Sequence, residues 1–266
     1  MVNRIIHQIW FDFDSKGHYE SNQNNCERTV LRDNILASNP NFRYILWSFD
    51  DAKRFIALNY PEYLAFISCK TNRPIIKCDF FRYLILFHFG GFYMDLDFFV
   101  LRNLNELVTT HNGNGNGEEI ILTRESHNCV EAHNTLHNGF MYSADPRCAF
   151  FKNMCDDIIM HDVASISEQD VYCITGTKLL CVSWKKYKDT FHIAVLPFHI
   201  VCSHWFIHSD DERKLFDGKN MKETCNDNTT SWTFLTIQEV KKMKNTLIHN
   251  GAYAICIVMN HGSYWK

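Results

Sequence analysis

The sequence predicts an α/β fold, because segments typical of strands alternate with segments typical of helices along most of its length. Ile5 to Trp10 is a short apolar and aromatic run and predicts a first strand. Glu27 to Ala37 has helical spacing, and Arg43 to Trp47 predicts a second strand, so the chain begins with a strand–helix–strand unit. The 266 residues are 46% hydrophobic, which is enough for a full core, and we expect a single domain over residues 1–266.

The clearest signals for the start and end of a helix lie in the middle of the chain. Pro74 at the entrance and Gly90-Gly91 at the exit predict a helix over residues 75–88, and strand-like segments over 92–94 and 98–101 follow it. Further helices are predicted over 50–59, with Ser48 as the N-cap, and over 104–110, 146–161 and 176–187. Further strands are predicted over 120–123, 139–143, 192–196 and 253–259. Residues 203–235 include a polar, aromatic and irregular stretch, and we interpret them as an acceptor-side insertion.

Composition and charge exclude several classes of protein. The formal net charge of -3 is small and both signs are spread along the chain, so we expect no nucleic-acid partner. The 11 cysteines are scattered and odd in number, which favours reduced thiols, and no zinc-binding spacing occurs. No signal peptide or transmembrane anchor pattern is present, so we expect a soluble chain in the cytoplasm, whether of its own cell or of a host infected by a virus.

The triplet Asp95-Leu96-Asp97 is the first candidate for chemistry. Residues i and i+2 leaving a strand point to the same side, so two such carboxylates can bind one hard cation. A second copy, Asp12-Phe13-Asp14, opens a polar loop, whereas the first follows a predicted strand, where open α/β sheets meet ligands. A divalent cation there would stabilise the diphosphate released from a nucleotide sugar. The alternative is that two exposed aspartates cap a tight turn.

Asp79 and Arg82 stand three residues apart on one face of the otherwise apolar predicted helix before the triplet. One interpretation is a structural ion pair. The other is that Arg82 reaches the diphosphate or sugar of a donor, using its planar fork, while Asp79 holds sugar hydroxyls.

The run from Cys78 to Asp97, with Asp79, Arg82, Gly90-Gly91 and the Asp95-Leu96-Asp97 triplet, resembles the signature of the DXD-containing sugar transferases of glycosyltransferase family 32. That family includes fungal initiating mannosyltransferases and is distantly similar to the large clostridial glucosylating toxins. The resemblance implies a nucleotide-diphospho-sugar transferase fold of the GT-A type, with a mixed central sheet flanked by helices.

The resemblance also implies roles for residues in the first two thirds of the chain. Asp97 would be the principal metal ligand and Asp95 would contact ribose and metal, with Arg82 completing the catalytic set. Donor binding would involve Trp10 on the nucleotide base, although Trp10 could equally be a core tryptophan at a strand end. The remaining implied donor contacts are Asp79, Arg82, Asp95 and Asn138.

Two further elements resemble parts of the same family. Thr175-Gly176-Thr177 resembles a threonine-glycine turn before a helix, whose N-terminus could face an anion or simply be capped. The C-terminal end resembles a tail that closes over the donor, which adds Ser263 and Trp265 to the donor-binding set. Asn260, His261 or Ser263 would then ligate the metal, and which of them does so is open.

Taken with the resemblance, the sequence predicts a retaining glycosyltransferase that depends on Mn²⁺ or Mg²⁺. It would move a hexose from a UDP-sugar or GDP-sugar to a hydroxyl of a glycan or protein. The alternative is a non-catalytic protein on the same fold that binds sugar nucleotides or glycans. A degenerate binder of that kind should have lost Asp97 or Arg82, and both are present.

Overall fold

The structure is a computed structural model and describes residues 2–11, 24–69, 73–111, 120–124, 136–161, 168–197, 200–202, 237–249 and 251–257. The strands are β1 (Ile5–Ile9), β2 (Arg43–Trp47), β3 (Gly91–Met94), β4 (Phe98–Val100), β5 (Ile120–Arg124), β6 (Leu136–Ser143), β7 (Ile193–Leu196), β8 (Val201–Cys202) and β9 (Ala254–Cys256). The helices are α1 (Asn24–Ser38), α2 (Phe49–Asn59), α3 (Leu64–Ser68), α4 (Pro74–Phe89), α5 (Leu104–His111), α6 (Ala149–Ile159), α7 (Glu168–Ile174), α8 (Thr177–Tyr187) and α9 (Ile237–His249), with a 3-10 turn at Pro61–Tyr63.

The main sheet has six strands in the order β2-β1-β3-β6-β5-β7. β1 is parallel to β2 and β3, and β5 is parallel to β7, whereas β6 is antiparallel to both of its neighbours. A second sheet has the order β4-β9-β8. The predicted α/β class with a mixed central sheet flanked by helices is confirmed, and it is consistent with the GT-A type that the resemblance implies.

Helix α4 forms much of the core on one face of the main sheet. Every residue from Ile76 to Leu86 is buried, as expected for a helix that is apolar on nearly all sides. The helix ends at Gly90, whose φ of +65° is readily adopted by glycine and whose N–H donates to the carbonyl of Leu86 at 2.9 Å. The chain then enters β3 at once, so α4 positions the segment that follows it.

The topology brings several element ends to one edge of the main sheet. β1, β3 and β5 all end at this edge, which we call the carboxyl edge, and the antiparallel β6 begins there. Since α4 leads into β3 and α8 leads into β7, which runs in the same direction, both helices begin at the carboxyl edge. The Asp95-Leu96-Asp97 triplet leaves β3 at this edge and crosses to β4 in the second sheet.

Most predicted elements are observed within a few residues of their predicted bounds. Ser48 caps α2 as predicted, in a capping box with Asp51. Helix α6 begins at Ala149 rather than at Pro146, because Arg147 has a φ of +67°, which a right-handed helix cannot include. α7, α9 and β8 were not predicted.

Two predictions about the rest of the chain stay open. Residues 203–235, interpreted as an insertion, lie outside the described residues. In the described part of the chain, none of the helices combines the length and the apolarity needed to cross a bilayer. Localisation in the cytoplasm stays a prediction.

Candidate active site at the carboxyl edge

The main chain of Asp95 is held by both strands that flank β3. Its N–H donates to the carbonyl of Gly139 in β6 at 2.8 Å, and its carbonyl accepts from the Gln8 amide in β1 at 2.9 Å. Tyr44 in β2 in turn donates to Gln8 at 2.7 Å. The first residue of the triplet is therefore fixed by three strands of the main sheet.

The side chain of Asp95 is fixed through one oxygen. The Tyr93 hydroxyl donates to Oδ1 at 2.6 Å, and the Arg82 guanidinium donates to the same oxygen at 3.3 Å. The other oxygen, Oδ2, faces Gly139, where an added Cβ would overlap it. The Asp95 side chain as a whole is 35% exposed and is therefore only partly buried.

Asp97 lies at the junction of the two sheets. Its carbonyl accepts from the Ile257 N–H at 2.6 Å, and its carboxylate accepts a hydrogen bond from the Cys256 thiol. The Oδ1 atom is buried and has no hydrogen-bond partner among the described residues. Burial, and then the neighbouring charge of Asp95, raise the pKa of Asp97 to about 7.

A buried carboxylate oxygen without a partner is costly unless a ligand satisfies it. A divalent cation between Asp95 and Asp97 would do so, and hard cations prefer oxygen ligands of this kind. In the part of the chain that is described, no three or more His, Cys, Asp or Glu side chains form a group able to hold a metal ion. The pair fits two positions of a coordination shell, and the other predicted ligands and donor contacts, Asn260, His261, Ser263 and Trp265, lie outside the described residues.

Arg82 and Asp79 form the ion pair that their spacing allows, and the pair is part of a larger cluster. The two side chains are 5% and 4% exposed, and Nη2 of Arg82 lies 3.0 Å from Oδ1 of Asp79. Arg82 also donates to the carbonyl of Asn138 at 2.9 Å and places its guanidinium 4.8 Å from the centre of the Tyr93 ring. Arg82 therefore connects Asp79 to Asp95. The predicted structural ion pair between Asp79 and Arg82 is observed, and a contact of Arg82 with a donor stays a prediction.

Asp79 accepts hydrogen bonds on both carboxylate oxygens. The Asn138 amide donates to Oδ1 at 3.1 Å, and the Thr175 hydroxyl donates to Oδ2 at 2.8 Å. Burial raises the pKa of Asp79 to about 6, although Arg82 and these hydrogen bonds oppose that shift. The structure thus brings together five residues singled out in the sequence, which are Asp79, Arg82, Asp95, Asn138 and Thr175.

Trp10 also lies at the carboxyl edge, directly after β1. The guanidinium of Arg28, in α1, lies 3.6 Å from the centre of its indole ring. Arg28 is 6% exposed, and Leu31, one turn further along α1, belongs to the apolar cluster that includes Leu96 of the triplet. One face of the indole is therefore covered by Arg28, and a nucleotide base can stack only on the other.

Sequence reasoning missed Arg28, Gly139 and Cys256 as parts of this site. Gly139 had a usable signal, because a glycine inside a predicted strand often marks a close approach of another group. Arg28 and Cys256 had none, since their contacts depend on residues distant in the sequence. Tyr93 was noticed only as an aromatic position within the motif.

The comparisons with known proteins agree with this geometry. Residues 27–113 match the family described as glycosyltransferase sugar-binding region containing DXD motif. The resemblance to DXD-containing glycosyltransferases is confirmed. The matched residues begin within α1, include all of α5 and contain Asp79, Arg82 and the triplet.

Relatives with assigned names extend the similarity. The chain is 30% identical over 189 residues to a mannosyl phosphorylinositol ceramide synthase of Saccharomyces cerevisiae, covering 71% of this chain and 43% of that protein. It is 28% identical over 245 residues to an uncharacterized glycosyltransferase of Acanthamoeba polyphaga mimivirus, covering 87% and 84%. A solved structure, the PaToxG glycosyltransferase, matches with a TM-score of 0.45 and 13% identity over 71% of this chain and 69% of that one. The chain spans less than half the length of the yeast relative.

Proposed function

We propose that this protein is a retaining, divalent-metal-dependent glycosyltransferase. It would move a hexose from a UDP-sugar or GDP-sugar to a hydroxyl group of a glycan or protein, with Mn²⁺ or Mg²⁺ as cofactor. The observation that carries this proposal is the buried Oδ1 of Asp97, which has no hydrogen-bond partner among the described residues and lies near the carboxylate of Asp95, at the edge of the sheet where ligands bind. The names of the fungal relatives make a mannose nucleotide the first donor to test.

The residues that the structure describes would have different roles in binding the cation and the donor. Asp97 would be the principal metal ligand, and Asp95 would be the second. The bound cation would neutralise the charge that develops on the departing diphosphate. Arg82 and Tyr93 both donate to Oδ1 of Asp95 and so fix the direction in which its carboxylate points.

Retention of configuration is implied by the resemblance. In a front-face reaction the bond from the anomeric carbon to the diphosphate breaks, and its electron pair stays on the phosphate oxygen. The acceptor hydroxyl forms the new bond from the same face and passes its proton to a phosphate oxygen of the donor. The buried Asp79–Arg82 pair would orient the donor group next to Asp95, so the chain supplies position and charge rather than a proton acceptor.

The test is metal-dependent turnover of a panel of UDP-sugars and GDP-sugars in the presence of Mn²⁺. We expect donor hydrolysis that a chelator abolishes, and a roughly 10³-fold loss in Asp97→Asn, because the variant weakens stabilisation of the leaving group. Asp33→Asn on the exposed face of α1, where the side chain is 61% exposed, is the matched control and should keep full activity.

Three outcomes would contradict the proposal. Full activity in Asp97→Asn, or hydrolysis that a chelator leaves intact, would remove the metal from the mechanism. Metal-dependent binding of nucleotide sugars without hydrolysis or transfer would identify a non-catalytic binding protein instead.

A further inference from the structure

Helix α8 begins beside the buried Asp79 cluster. The hydroxyl of Thr175 lies 2.8 Å from Oδ2 of Asp79, and Tyr83 of α4 donates to the carbonyl of Thr175 at 2.9 Å. Arg82 then joins Asp79 to Asp95, at 3.0 Å and 3.3 Å. The start of α8 is therefore connected to the proposed metal pair by three consecutive side-chain contacts, Thr175 to Asp79, Asp79 to Arg82 and Arg82 to Asp95.

The N-terminus of α8 has no side-chain cap among the described residues. Its N-cap residue is Gly176, which offers no side chain to accept from the first amides, and the first N–H groups of a helix have no partner within it. The hydroxyl of Thr177, the first residue of the helix, is also without a hydrogen-bond partner among the described residues. Thr177 is only 6% exposed, so bulk water does not supply a hydrogen-bond partner for its hydroxyl.

The position of Thr177 in the helix favours a ligand as the partner of its hydroxyl. Cα–Cβ bonds of an α-helix tilt toward its N-terminus, so Thr177, the first residue of α8, places its side chain at the end of the helix where the first amides lie. A buried hydroxyl without a partner costs about 1–3 kcal/mol, and a ligand that accepts or donates there recovers that cost. The site is thus built for a group that makes hydrogen bonds and that enters from the carboxyl edge.

The chemistry of the neighbours selects a neutral ligand. A phosphate at the helix N-terminus would be drawn by the amides, but it would stand beside the carboxylate of Asp79, and like charges repel. A hydroxyl group carries no charge and can both accept from an amide and donate to a threonine oxygen. Sugar hydroxyls are the groups of this kind that the proposed reaction brings to the carboxyl edge.

We propose that Thr177 and the first-turn amides of α8 bind a hydroxyl group of the transferred sugar, which makes Thr177 a residue that determines donor-sugar specificity. This inference rests on the proposed glycosyltransferase function. Sugars that differ only in the presence or orientation of that hydroxyl would be distinguished at this position.

The test compares Thr177→Val, which removes the hydroxyl at nearly constant shape, with Thr177→Ser, which keeps it. Ser183→Ala is the matched control, since Ser183 is buried in the same helix further from the carboxyl edge. We expect Thr177→Val to lower kcat/KM for the preferred nucleotide sugar about 10–100-fold, as the loss of one buried hydrogen bond to a substrate predicts. Thr177→Ser should stay within about 3-fold of the wild type, and the Mn²⁺-dependent affinity for the nucleoside diphosphate alone should be equal in all variants.

A series of monodeoxy donors locates the contact. The wild type should lose the same 10–100-fold with the one analogue that lacks the bound hydroxyl, and Thr177→Val should lose nothing further with that analogue. Thr177→Ala serves the same purpose if the valine variant does not fold. Equal kcat/KM in Thr177→Val and Ser183→Ala would overturn the assignment of Thr177. So would losses in kcat/KM from the variant and from the analogue that add for every analogue. Either result would leave the proposed function intact. If the wild type shows no metal-dependent binding of any nucleotide sugar, both proposals fall.

Discussion

Helices α2 and α4 each contain an aspartate that pairs with a basic residue three positions later, and the first such pair of α2 differs from the pair of α4 in almost everything except its geometry. Asp50 and Lys53 in α2 lie 3.2 Å apart with side chains that are 80% and 39% exposed. Asp79 and Arg82 in α4 lie 3.0 Å apart with side chains that are 4% and 5% exposed. The spacing and the distance are nearly the same, whereas the surroundings are opposite.

The difference shows why spacing alone does not identify a site. An exposed pair is solvated on all sides and contributes about 0–1 kcal/mol. A buried pair persists only when further hydrogen bonds satisfy both charges, and Arg82 finds these on Asp95 and on the carbonyl of Asn138. A charged pair inside an apolar helix therefore indicates a network, and here the network reaches the proposed metal ligands.

The largest expected effect, on the free energy of unfolding, comes from replacing the basic residue of a pair with an uncharged one. Arg82→Met leaves the carboxylates of Asp79 and Asp95 without their shared partner, and we expect it to lower the free energy of unfolding by about 3–5 kcal/mol. Lys53→Met should change it by less than about 1 kcal/mol. Urea denaturation of both variants measures the difference, and equal losses would mean that the buried network adds nothing to the pair.

A smaller expected effect, on stability and Mn²⁺ binding, tests whether the contacts around Asp95 fix its side chain. In Gly139→Ala the new Cβ would overlap Asp95 Oδ2 and lie 2.5 Å from Cε1 of His137, and we expect a destabilisation of about 1–3 kcal/mol with weaker Mn²⁺ binding. Asp95→Ala should relieve part of the clash, so the double variant should be more stable than the sum of the single effects by at least about 0.5 kcal/mol. Strict additivity would show that Asp95 is free to move.

The smallest expected effect is on how the free energy of unfolding changes with pH. Burial raises the pKa of Asp97 from 3.8 to about 7, so between these values the folded protein holds a proton that the unfolded chain has released. Stability without metal therefore falls as pH rises from about 4 to about 7. Asp97→Asn removes this dependence, and with a chelator present it should be more stable than the wild type by roughly 1–2 kcal/mol at pH 8 and by less at pH 5.

The exposed aspartate of α2 supplies the control for this measurement. Asp50→Asn should show the same difference from the wild type at both pH values, because its carboxylate is solvated in either state. Thermal unfolding at pH 5 and pH 8 separates the two variants. A pH-independent gain in Asp97→Asn would contradict the raised pKa.

Elements with strong local signals could be predicted from the sequence. Helix α4 was predicted over residues 75–88 and spans Pro74–Phe89, because a proline and a glycine fix its ends. The N-terminus of α2 was likewise readable, because Ser48 is a typical N-cap residue. Helix α9 was missed, although Thr236 and Glu239 have the spacing of a capping box at its start.

The members of the site could be predicted, but most of their contacts could not. Asp79, Arg82 and the triplet were evident from charge in an apolar run and from the family signature. Their hydrogen bonds to Asn138 and Thr175 join residues 59 and 96 positions apart, which no local pattern specifies. The stacking of Arg28 on Trp10 is a tertiary contact of the same kind.

Pairing of β4 with β9 has a consequence for how the protein acquires its activity. Phe98 is paired with Cys256, and the carbonyl of Asp97 is held by the N–H of Ile257, so Asp97 depends on a strand about 160 residues later in the chain. Contacts of such long sequence separation form late and slowly. During translation the ribosome must therefore deliver the chain as far as β9 before Asp97 can be held in place, and a nascent chain that stops before Ala254 would contain Asp97 without the strand that holds it.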